Sequence, residues 1–270
     1  MDPNELIRKE AMRRGLSPRT IKTYKYCVEQ FFKKNKDKDP RQITKKDVRE
    51  FLDDLIEKDK PGNTINVYNN SLKFFFEECL GKRMKLNIKY SKKPRRLPTV
   101  LTQQEIKLLI NSIENEKHKL MIQLLYSSGM RVSELTNLKV QDIEGNYGWV
   151  REGKGMKDRP FILADKISNK IKDICNNKKS EEYIFQSYKG KMSTRTIQVI
   201  IKKATKKARI TKNVHPHTLR HSFATHLIEN GYAVSEVQSL LGHASLDTTM
   251  IYVHLARPNL INVKSPLDEL

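Results

Sequence analysis

The chain has 270 residues, of which 37% are hydrophobic and 31% charged, and its formal net charge is +21 with a pI near 9.8. No apolar run approaches the ~18 residues of a membrane-spanning helix, and the first residues lack the apolar core of a signal peptide, so we expect a cytoplasmic protein with no membrane partner. So large a positive charge favours a polyanionic partner, and nucleic acid is favoured over a membrane surface or a general effect on solubility.

The first part of the chain has the apolar spacing of helices. Ser17 precedes a first-turn proline, and Thr44 followed by Asp47 begins another helix. A Pro-Gly pair at 61–62 separates these segments from a later apolar stripe. The apolar positions that recur at helical spacing are Ile21, Tyr24, Val28, Phe31, Val48, Phe51, Leu52, Leu55, Tyr68, Leu72, Phe75 and Phe76. They predict a small helical bundle over residues 1–90.

A basic stretch follows the bundle. The run "KRMKLNIKYSKKPRRLP", residues 82–98, contains basic residues, no acidic ones and two prolines. It is typical of a solvated linker, which we place at 91–99, and a linker of this charge can also follow a phosphate backbone. Positive charge is present in both halves of the chain, so both are expected to contact the polyanion.

The second part, residues 100–270, mixes helices with a small sheet. Thr102 and Glu105 form the pattern of a capping box ahead of a helix. The segments 147–151 and 159–163 are predicted as two strands joined by a glycine-rich turn. Helical periodicity returns over 194–210 and continues to about 252, where Gly242 can close one helix and Ser245 can cap the next.

The motifs of several enzyme classes are missing from the sequence. It contains no Walker A run, no GxGxxG, no HExxH and no CxxC pair. Its three cysteines, Cys27, Cys79 and Cys175, are too far apart for a metal pair or an even disulfide set, which indicates reduced thiols. We therefore expect no cofactor and no metal.

Two motifs place arginine at points where helices begin. In "YSSGMRVSEL", Arg131 follows a helix-ending Gly129, and Glu134 lies one turn away and can hold the guanidinium. A surface ion pair is the simpler interpretation of this spacing. In "HPHTLRHSFATHL", His217 and Arg220 share one face near a helix N-terminus, a favourable anion site. Taken alone, a loop histidine and a solvated arginine are the simpler interpretation of the second motif.

Other candidates are weaker when each is taken alone. Lys154 lies at the tip of the predicted hairpin, where it could donate a proton or simply face water. His243 and Tyr252 lie nine residues apart near the last helix, and each could be a packing residue. The neighbouring His215 and His221 are interpreted as incidental.

Taken in order, "SSGMRVSEL", "GKGMKDR", "HTLRHSFATHL" and "LGHASLDTTMIY" resemble the tyrosine recombinase (phage integrase) family. The resemblance covers residues 98–255, and the helical first part looks like the family's core-binding domain. The compact chain looks most like the Xer-type resolvases of chromosome dimers, including archaeal ones. The family's catalytic positions are matched by Arg131, Lys154, His217, Arg220, His243 and Tyr252.

This resemblance implies a mainly α fold: a helical core-binding domain, then a mixed α/β, mostly helical, catalytic domain. It implies site-specific recombination of double-stranded DNA, with Tyr252 as the nucleophile that forms a 3′-phosphotyrosyl link, and no cofactor, since the link conserves bond energy. Arg131 and Arg220 would stabilise the phosphate charge, His217 and His243 would assist, and Lys154 would protonate the leaving oxygen.

The resemblance also implies a homotetramer on two duplexes, in which the C-terminal tail packs on a neighbouring protomer. Covering of the chain's own core is an equally good interpretation of this tail. Three alternatives for the activity stay open. The chain could be an integrase of a mobile element, a DNA-relaxing enzyme of type IB topoisomerase character, or a DNA-binding protein without catalysis.

Overall fold

The computed structural model describes residues 2–36, 38–84, 97–151, 158–188, 190–242 and 245–256. The chain divides into two compact units, Met1–Arg95 and Arg96–Leu270. Across the described ranges, no helix is both long enough and apolar enough to cross a bilayer.

The first unit is a helical bundle, as predicted. Its elements are α1 (Pro3–Arg13), α2 (Pro18–Lys34), α3 (Lys45–Glu57), α4 (Gly62–Lys73) and a π-helical turn (Phe74–Cys79). The side chain of Ser17 accepts the Thr20 backbone N–H at 3.1 Å and begins α2. The helix start predicted at Thr44 is confirmed: Thr44 and Asp47 form a capping box, in which the Asp47 carboxylate accepts the Thr44 N–H at 2.7 Å. Local capping thus sets where these helices start.

The core of this bundle is aromatic. The ring of Phe31, which is fully buried, has edge-to-face contacts with Phe51 and Phe76 at centroid distances of 5.2 and 5.7 Å. Edge-to-face packing of this kind adds to the free energy gained by burying apolar area. These rings join α2 to α3 and to the turn after α4, while α1 and α4 also pack against α2.

The second unit contains helices packed around a small antiparallel sheet. Its first elements are α5 (Gln103–Asn111), α6 (Glu116–Ser128), α7 (Val132–Asn137), a 3-10 turn (Val140–Asp142), β1 (Ile143–Glu144), β2 (Tyr147–Val150) and β3 (Arg159–Ile162). The later ones are α8 (Asp165–Asn176), β4 (Gln186–Ser187), β5 (Gly190–Lys191), α9 (Thr194–Lys207), α10 (Pro216–Glu229), α11 (Val234–Leu241) and α12 (Asp247–Leu255). The predicted strand pair is confirmed by the β2–β3 pairing, in which Val150 lies opposite Arg159.

Helix α10, which carries His217 and Arg220, is the central helix of the second unit. It packs against α6, α9, α11 and α12. Its C-terminal half shares a buried apolar cluster with α11 and α12, formed by Phe223, Ala224, Val237, Leu241 and Tyr252. This packing brings the last helix against the helix that carries His217 and Arg220.

The predicted cap of the last helix is wrong by one residue. Helix α12 begins at Asp247, and Leu246 occupies the N-cap position with helical dihedral angles instead of the extended ones of a normal cap. Ser245 accepts the Thr248 N–H on its backbone carbonyl oxygen at 3.3 Å. The helical ladder is thus extended backwards through Leu246 and Ser245.

Candidate active site

Arg131 is fixed at the start of α7 by Glu134. Helix α6 ends at Gly129 in the left-handed conformation, with φ of 60°, which favours glycine. One Glu134 oxygen accepts a hydrogen bond from the Arg131 backbone N–H, and the other accepts one from Nη1, both at 2.7 Å. The two side chains are only 23% and 7% exposed, so this is not a mobile surface pair. The sequence correctly predicted Glu134 as the partner.

Arg220 lies inside the protein, where its side chain binds two helix ends. The residue is 3% exposed, so the alternative of a solvated arginine is wrong. Nη1 donates to the carbonyl oxygen of Gly129 at 2.7 Å, and Nη2 donates to that of Leu241 at 2.6 Å. These oxygens end α6 and α11, where the helix dipole is negative. A guanidinium has five N–H donors, so donors beyond these two can bind an anion.

Arg220 remains positively charged although its side chain is buried. Desolvation, together with the positive charges of Arg131 and Arg159, lowers the pKa of Arg220 to about 10, and the negative charge of Glu134 partly opposes this. This value is still well above neutral pH. The pocket therefore holds a permanent buried cation, which a phosphate would neutralise.

The histidines of α10 have different surroundings. His215 is the N-cap, since its Nδ1 accepts the Thr218 N–H at 3.2 Å. His217 lies on the exposed side, where desolvation, then the charge of Arg220, lowers its imidazole pKa. A neutral imidazole offers one donor and one acceptor nitrogen. His217 can therefore act either as a base or as a hydrogen-bond donor.

Tyr252 is buried next to this arginine pocket. The residue is 2% exposed, and its hydroxyl oxygen lies 3.0 Å from Nδ1 of His221. Burial raises the pKa of the Tyr252 hydroxyl, and the positive charges of Arg220 and Arg131 partly oppose that rise. The phenol is thus close enough to both guanidinium groups to feel their charge.

His221 is a site residue that the sequence interpretation missed. Burial, followed by the charges of His217 and His215, lowers the pKa of His221 to about 4, so its imidazole is neutral at pH 7. The rings of His217 and His221 are 6.4 Å apart, and those of His221 and Tyr252 are 5.7 Å apart. The i,i+4 spacing from His217 was the available signal, because it puts both rings on one helix face.

A second unpredicted residue is Arg159, the first residue of β3. Its side chain is 7% exposed and donates from Nη2 to Glu134 at 2.6 Å. The same carboxylate therefore holds Arg131 and Arg159. An arginine at the start of a strand carried no sequence signal of burial.

Two predicted positions cannot be placed. Lys154 and His243 lie outside the described residues, in the segments 152–157 and 243–244. The ends that flank them are described: β2 and β3 on either side of the first, and left-handed Gly242 before the second. Within the parts of the chain that are described, no cluster of three or more His, Cys, Asp or Glu residues could hold a metal ion.

The arrangement has a defined chemical capability. The structure brings Arg131, His217, Arg220 and Tyr252 into one region, with guanidinium donors held rigidly beside a phenol. Rigid cationic donors stabilise the charge of a phosphate under attack, and a phenol can act as the nucleophile. The site therefore fits phosphoryl transfer to tyrosine.

Comparisons with known proteins agree with the chemistry inferred from the site. The sequence profile described as "Phage integrase family" matches residues 99–258, and that described as "Phage integrase, N-terminal SAM-like domain" matches residues 5–86. The chain is 39% identical to a "Tyrosine recombinase" of Thermosipho africanus over 255 residues, which covers 89% of this chain and 90% of that protein.

Two further proteins extend the comparison. The chain is 36% identical to "Tyrosine recombinase XerA" of Pyrococcus horikoshii over 254 residues, covering 91% of this chain and 86% of that protein. A lambda integrase tetramer bound to a Holliday junction has a chain of similar fold, with a TM-score of 0.73 at 20% identity, covering 91% of this chain and 74% of that one.

Proposed function

This chain belongs to the phage integrase family and is a tyrosine recombinase, an enzyme that breaks and rejoins DNA at specific sites, and we propose that Tyr252 is its nucleophile. One observation carries the proposal: the Tyr252 hydroxyl lies 3.0 Å from His221, the residue next to Arg220 in α10, and within the field of both arginines. The phenol pKa values of Tyr68, Tyr126 and Tyr147 are also raised, but neither arginine acts on those phenols.

The proposed reaction conserves phosphodiester bonds. The Tyr252 oxygen attacks the DNA phosphorus, and the bond from phosphorus to the 5′-oxygen breaks. The phenolic proton passes to a base, for which His217 is our candidate, and the leaving 5′-oxygen takes a proton from Lys154. The products are a 3′-phosphotyrosyl link and a free 5′-hydroxyl. A 5′-hydroxyl of the partner strand then reverses the step, so no nucleotide cofactor is required.

Arg131 and Arg220 are proposed to bind the non-bridging phosphate oxygens. Negative charge grows on these oxygens during attack, and preorganised donors stabilise it without reorganisation. Losing one such donor typically costs about 10²–10³ in rate. The bonds from Arg131 to Glu134 and from Arg220 to two helix ends supply that preorganisation. His243 is proposed as a further donor to the same phosphate.

DNA binding must also relieve the burial of the phenol. At 2% exposure the Tyr252 side chain has no access to a phosphate from solvent. The hydroxyl and the phosphorus have to approach within about 3–3.5 Å for attack. We therefore propose that α12 shifts when DNA occupies the arginine pocket.

The decisive experiment compares two tyrosines. Protein–DNA adducts recovered from host genomic DNA first identify the target site, and a nicked duplex of that site then traps the adduct. Tyr252→Phe should form no adduct while retaining DNA binding. Tyr126→Phe is the matched control, since the Tyr126 hydroxyl also bonds a histidine of α10, His226, at 2.8 Å. Its adduct yield should equal that of the wild type.

Each outcome has a clear meaning. An adduct that persists in Tyr252→Phe would overturn the assignment of the nucleophile. A wild-type protein that binds DNA but never forms an adduct would support the rival interpretation of a DNA-binding protein without catalysis.

We propose that the enzyme acts as a homotetramer on two DNA duplexes. The lambda integrase tetramer on a Holliday junction has a similar fold, and the tail of this chain, residues 257–270, carries Leu260, Ile261, Val263 and Leu267 among polar residues. That tail lies outside the described residues. Deleting residues 258–270 should weaken assembly more than it weakens binding to one site. A tetramer that forms unchanged after the deletion would contradict tail docking between protomers.

The biological role proposed is resolution of chromosome dimers in the cytoplasm before cell division. The similarity to the XerA recombinase over most of the chain supports this role. The alternative is an integrase that moves a mobile element. Mapping adducts on the genome separates the two, because a resolvase should act at a chromosomal site whether or not an element is present.

A further inference from the structure

Arg159 is the third arginine of the pocket, and the reaction scheme above assigns it no role. Its guanidinium spans two elements that are distant in sequence. Nη2 donates to Glu134 in α7 at 2.6 Å, and Nη1 donates to the carbonyl oxygen of Leu240 in α11 at 2.5 Å. A planar fork with fixed donors is suited to binding two acceptors that lie apart, whereas the donors of a lysine share one nitrogen atom.

The bond to Glu134 connects Arg159 with Arg131. Glu134 is 7% exposed and has two oxygens, of which Oε1 accepts from Nη1 of Arg131 and Oε2 accepts from Arg159. Burial alone would raise the Glu134 pKa, but the charge of Arg159, followed by the bonds from Arg131, lowers it. The carboxylate therefore stays ionised between two guanidinium groups, and its position depends on both.

The bond to Leu240 connects Arg159 with Arg220. Arg159 binds the carbonyl oxygen of Leu240, and Arg220 binds that of Leu241, the next residue. Two buried cations thus hold consecutive carbonyls at the C-terminal end of α11, where the helix dipole is negative. These carbonyls belong to neighbouring peptide units that share the Leu241 Cα, so a shift of the end of α11 moves both.

Gly242 packs closely against the Arg159 side chain. Gly242 ends α11 with φ of 63°, and a Cβ at that position would lie 2.5 Å from Cδ and 3.0 Å from Nε of Arg159. Only a residue without a side chain allows the aliphatic stem of Arg159 to pass. The glycine that ends α11 therefore also makes room for Arg159.

We propose that Arg159 is a positioning residue for DNA cleavage, one that fixes Arg131 through Glu134 and Arg220 through the end of α11. This inference rests on the proposed function, since it assumes that those two arginines bind the phosphate under attack. A displacement of about 1 Å in a catalytic group can cost about 10²-fold in rate. Arg159 itself is not required to touch DNA.

The test uses the full chain and a nicked duplex of the target site that adduct mapping identifies. The main variant is Arg159→Lys, which keeps a positive charge beside Glu134 and so avoids leaving that carboxylate unpaired. Arg159→Met removes the charge as well. Arg151→Met is the matched control: Arg151 directly follows strand β2 and bonds Asp142 at 3.0 Å, and among the described residues it has no bond to Glu134, Arg131 or Arg220. Adduct formation is measured under single turnover at saturating protein, with DNA affinity measured separately.

We expect Arg159→Lys to slow adduct formation about 10-fold and Arg159→Met about 100-fold, with DNA affinity changed less than about threefold. The diagnostic readout is a double-mutant cycle with Arg131→Ala. If Arg159 acts in part through Arg131, Arg159→Lys should slow the Arg131→Ala enzyme by a smaller factor than it slows the wild type, because one of the two groups that it positions is already gone. A merely structural role would multiply the two losses.

The outcomes separate this inference from the proposed function. Arg159→Lys at the wild-type rate, or a fully multiplicative cycle, would overturn the inference and leave Tyr252 as the nucleophile. A wild-type enzyme that forms no adduct would overturn the proposed function, and the inference with it.

Discussion

Replacing Gly129 by alanine tests how tightly the arginine pocket is built. Gly129 ends α6 with φ of 60°, and its carbonyl oxygen accepts the Arg220 bond. A Cβ on this residue would lie 2.6 Å from Cε1 of Phe223, closer still to Cδ1, and 3.0 Å from Leu241 Cδ2. The substitution therefore strains the backbone and pushes on two neighbours of the pocket.

The structure allows an estimate of the cost. A left-handed conformation costs a residue with Cβ about 1–2 kcal/mol. Forcing an extra methyl group into a packed core typically adds about 1–3 kcal/mol. Gly129→Ala should therefore lower the free energy of unfolding by about 2–5 kcal/mol. It should also slow adduct formation about 10-fold or more, since the carbonyl that orients Arg220 shifts.

Gly145→Ala is the matched control. Gly145 has nearly the same φ of 62°, but a Cβ there would meet nothing within 4 Å. Its loss should be limited to the backbone cost of about 1–2 kcal/mol, with no effect on adduct formation. Urea unfolding of both variants measures the difference. Equal losses of stability would refute the conclusion that Gly129 is required by close packing against Phe223.

Three further predictions concern single contacts of the second unit. The first concerns His221, whose imidazole has a pKa of about 4 in the folded protein and about 6.5 in the unfolded chain. As the pH falls from 6.5 to about 4, the wild type should therefore lose up to about 3 kcal/mol more stability than His221→Asn. Parallel pH curves in urea titrations would contradict this. Glu134→Gln should lower the free energy of unfolding by about 1–3 kcal/mol and slow adduct formation, because a neutral amide cannot balance the charge of two buried guanidinium groups. Unchanged unfolding and cleavage would show that the carboxylate charge is dispensable. Ser222→Ala removes the acceptor of the Leu101 N–H, a buried bond of 2.9 Å, and should cost about 1–3 kcal/mol; undiminished protection of the Leu101 amide in hydrogen exchange would argue against it.

Local signals predicted the elements of this fold well. The helix starts at Ser17, Thr44 and Thr102 are visible in sequence because a cap hydroxyl and the backbone N–H that donates to it are three residues apart. Glycine at 129 and 242 marks helix ends for the same reason, since the left-handed conformation is a property of one residue. The resemblance to a family then named the candidate residues of the site.

Contacts between distant residues were not predictable in this way. Arg159 bonds residues that are 25 and 81 positions away, and no periodic pattern encodes such a pair. The spacing of His217 and Arg220 correctly placed both residues in α10. It did not predict their different burial: His217 is exposed, whereas Arg220 is buried and bonds carbonyl oxygens 91 and 21 positions away. The role of His221 also depends on a distant partner, the hydroxyl of Tyr252, 31 positions away.

The most direct test identifies the amino acid that becomes joined to DNA. After nuclease and trypsin digestion of the trapped adduct, the DNA remnant should lie on the peptide of residues 221–264, which contains two tyrosines, Tyr232 and Tyr252. Fragment ions should place a 3′-linked nucleotide on Tyr252, and the other DNA end should carry a 5′-hydroxyl that accepts label from a polynucleotide kinase without prior phosphatase treatment. A remnant on Tyr232 or on another peptide, or a link through a 5′-phosphate, would contradict the account.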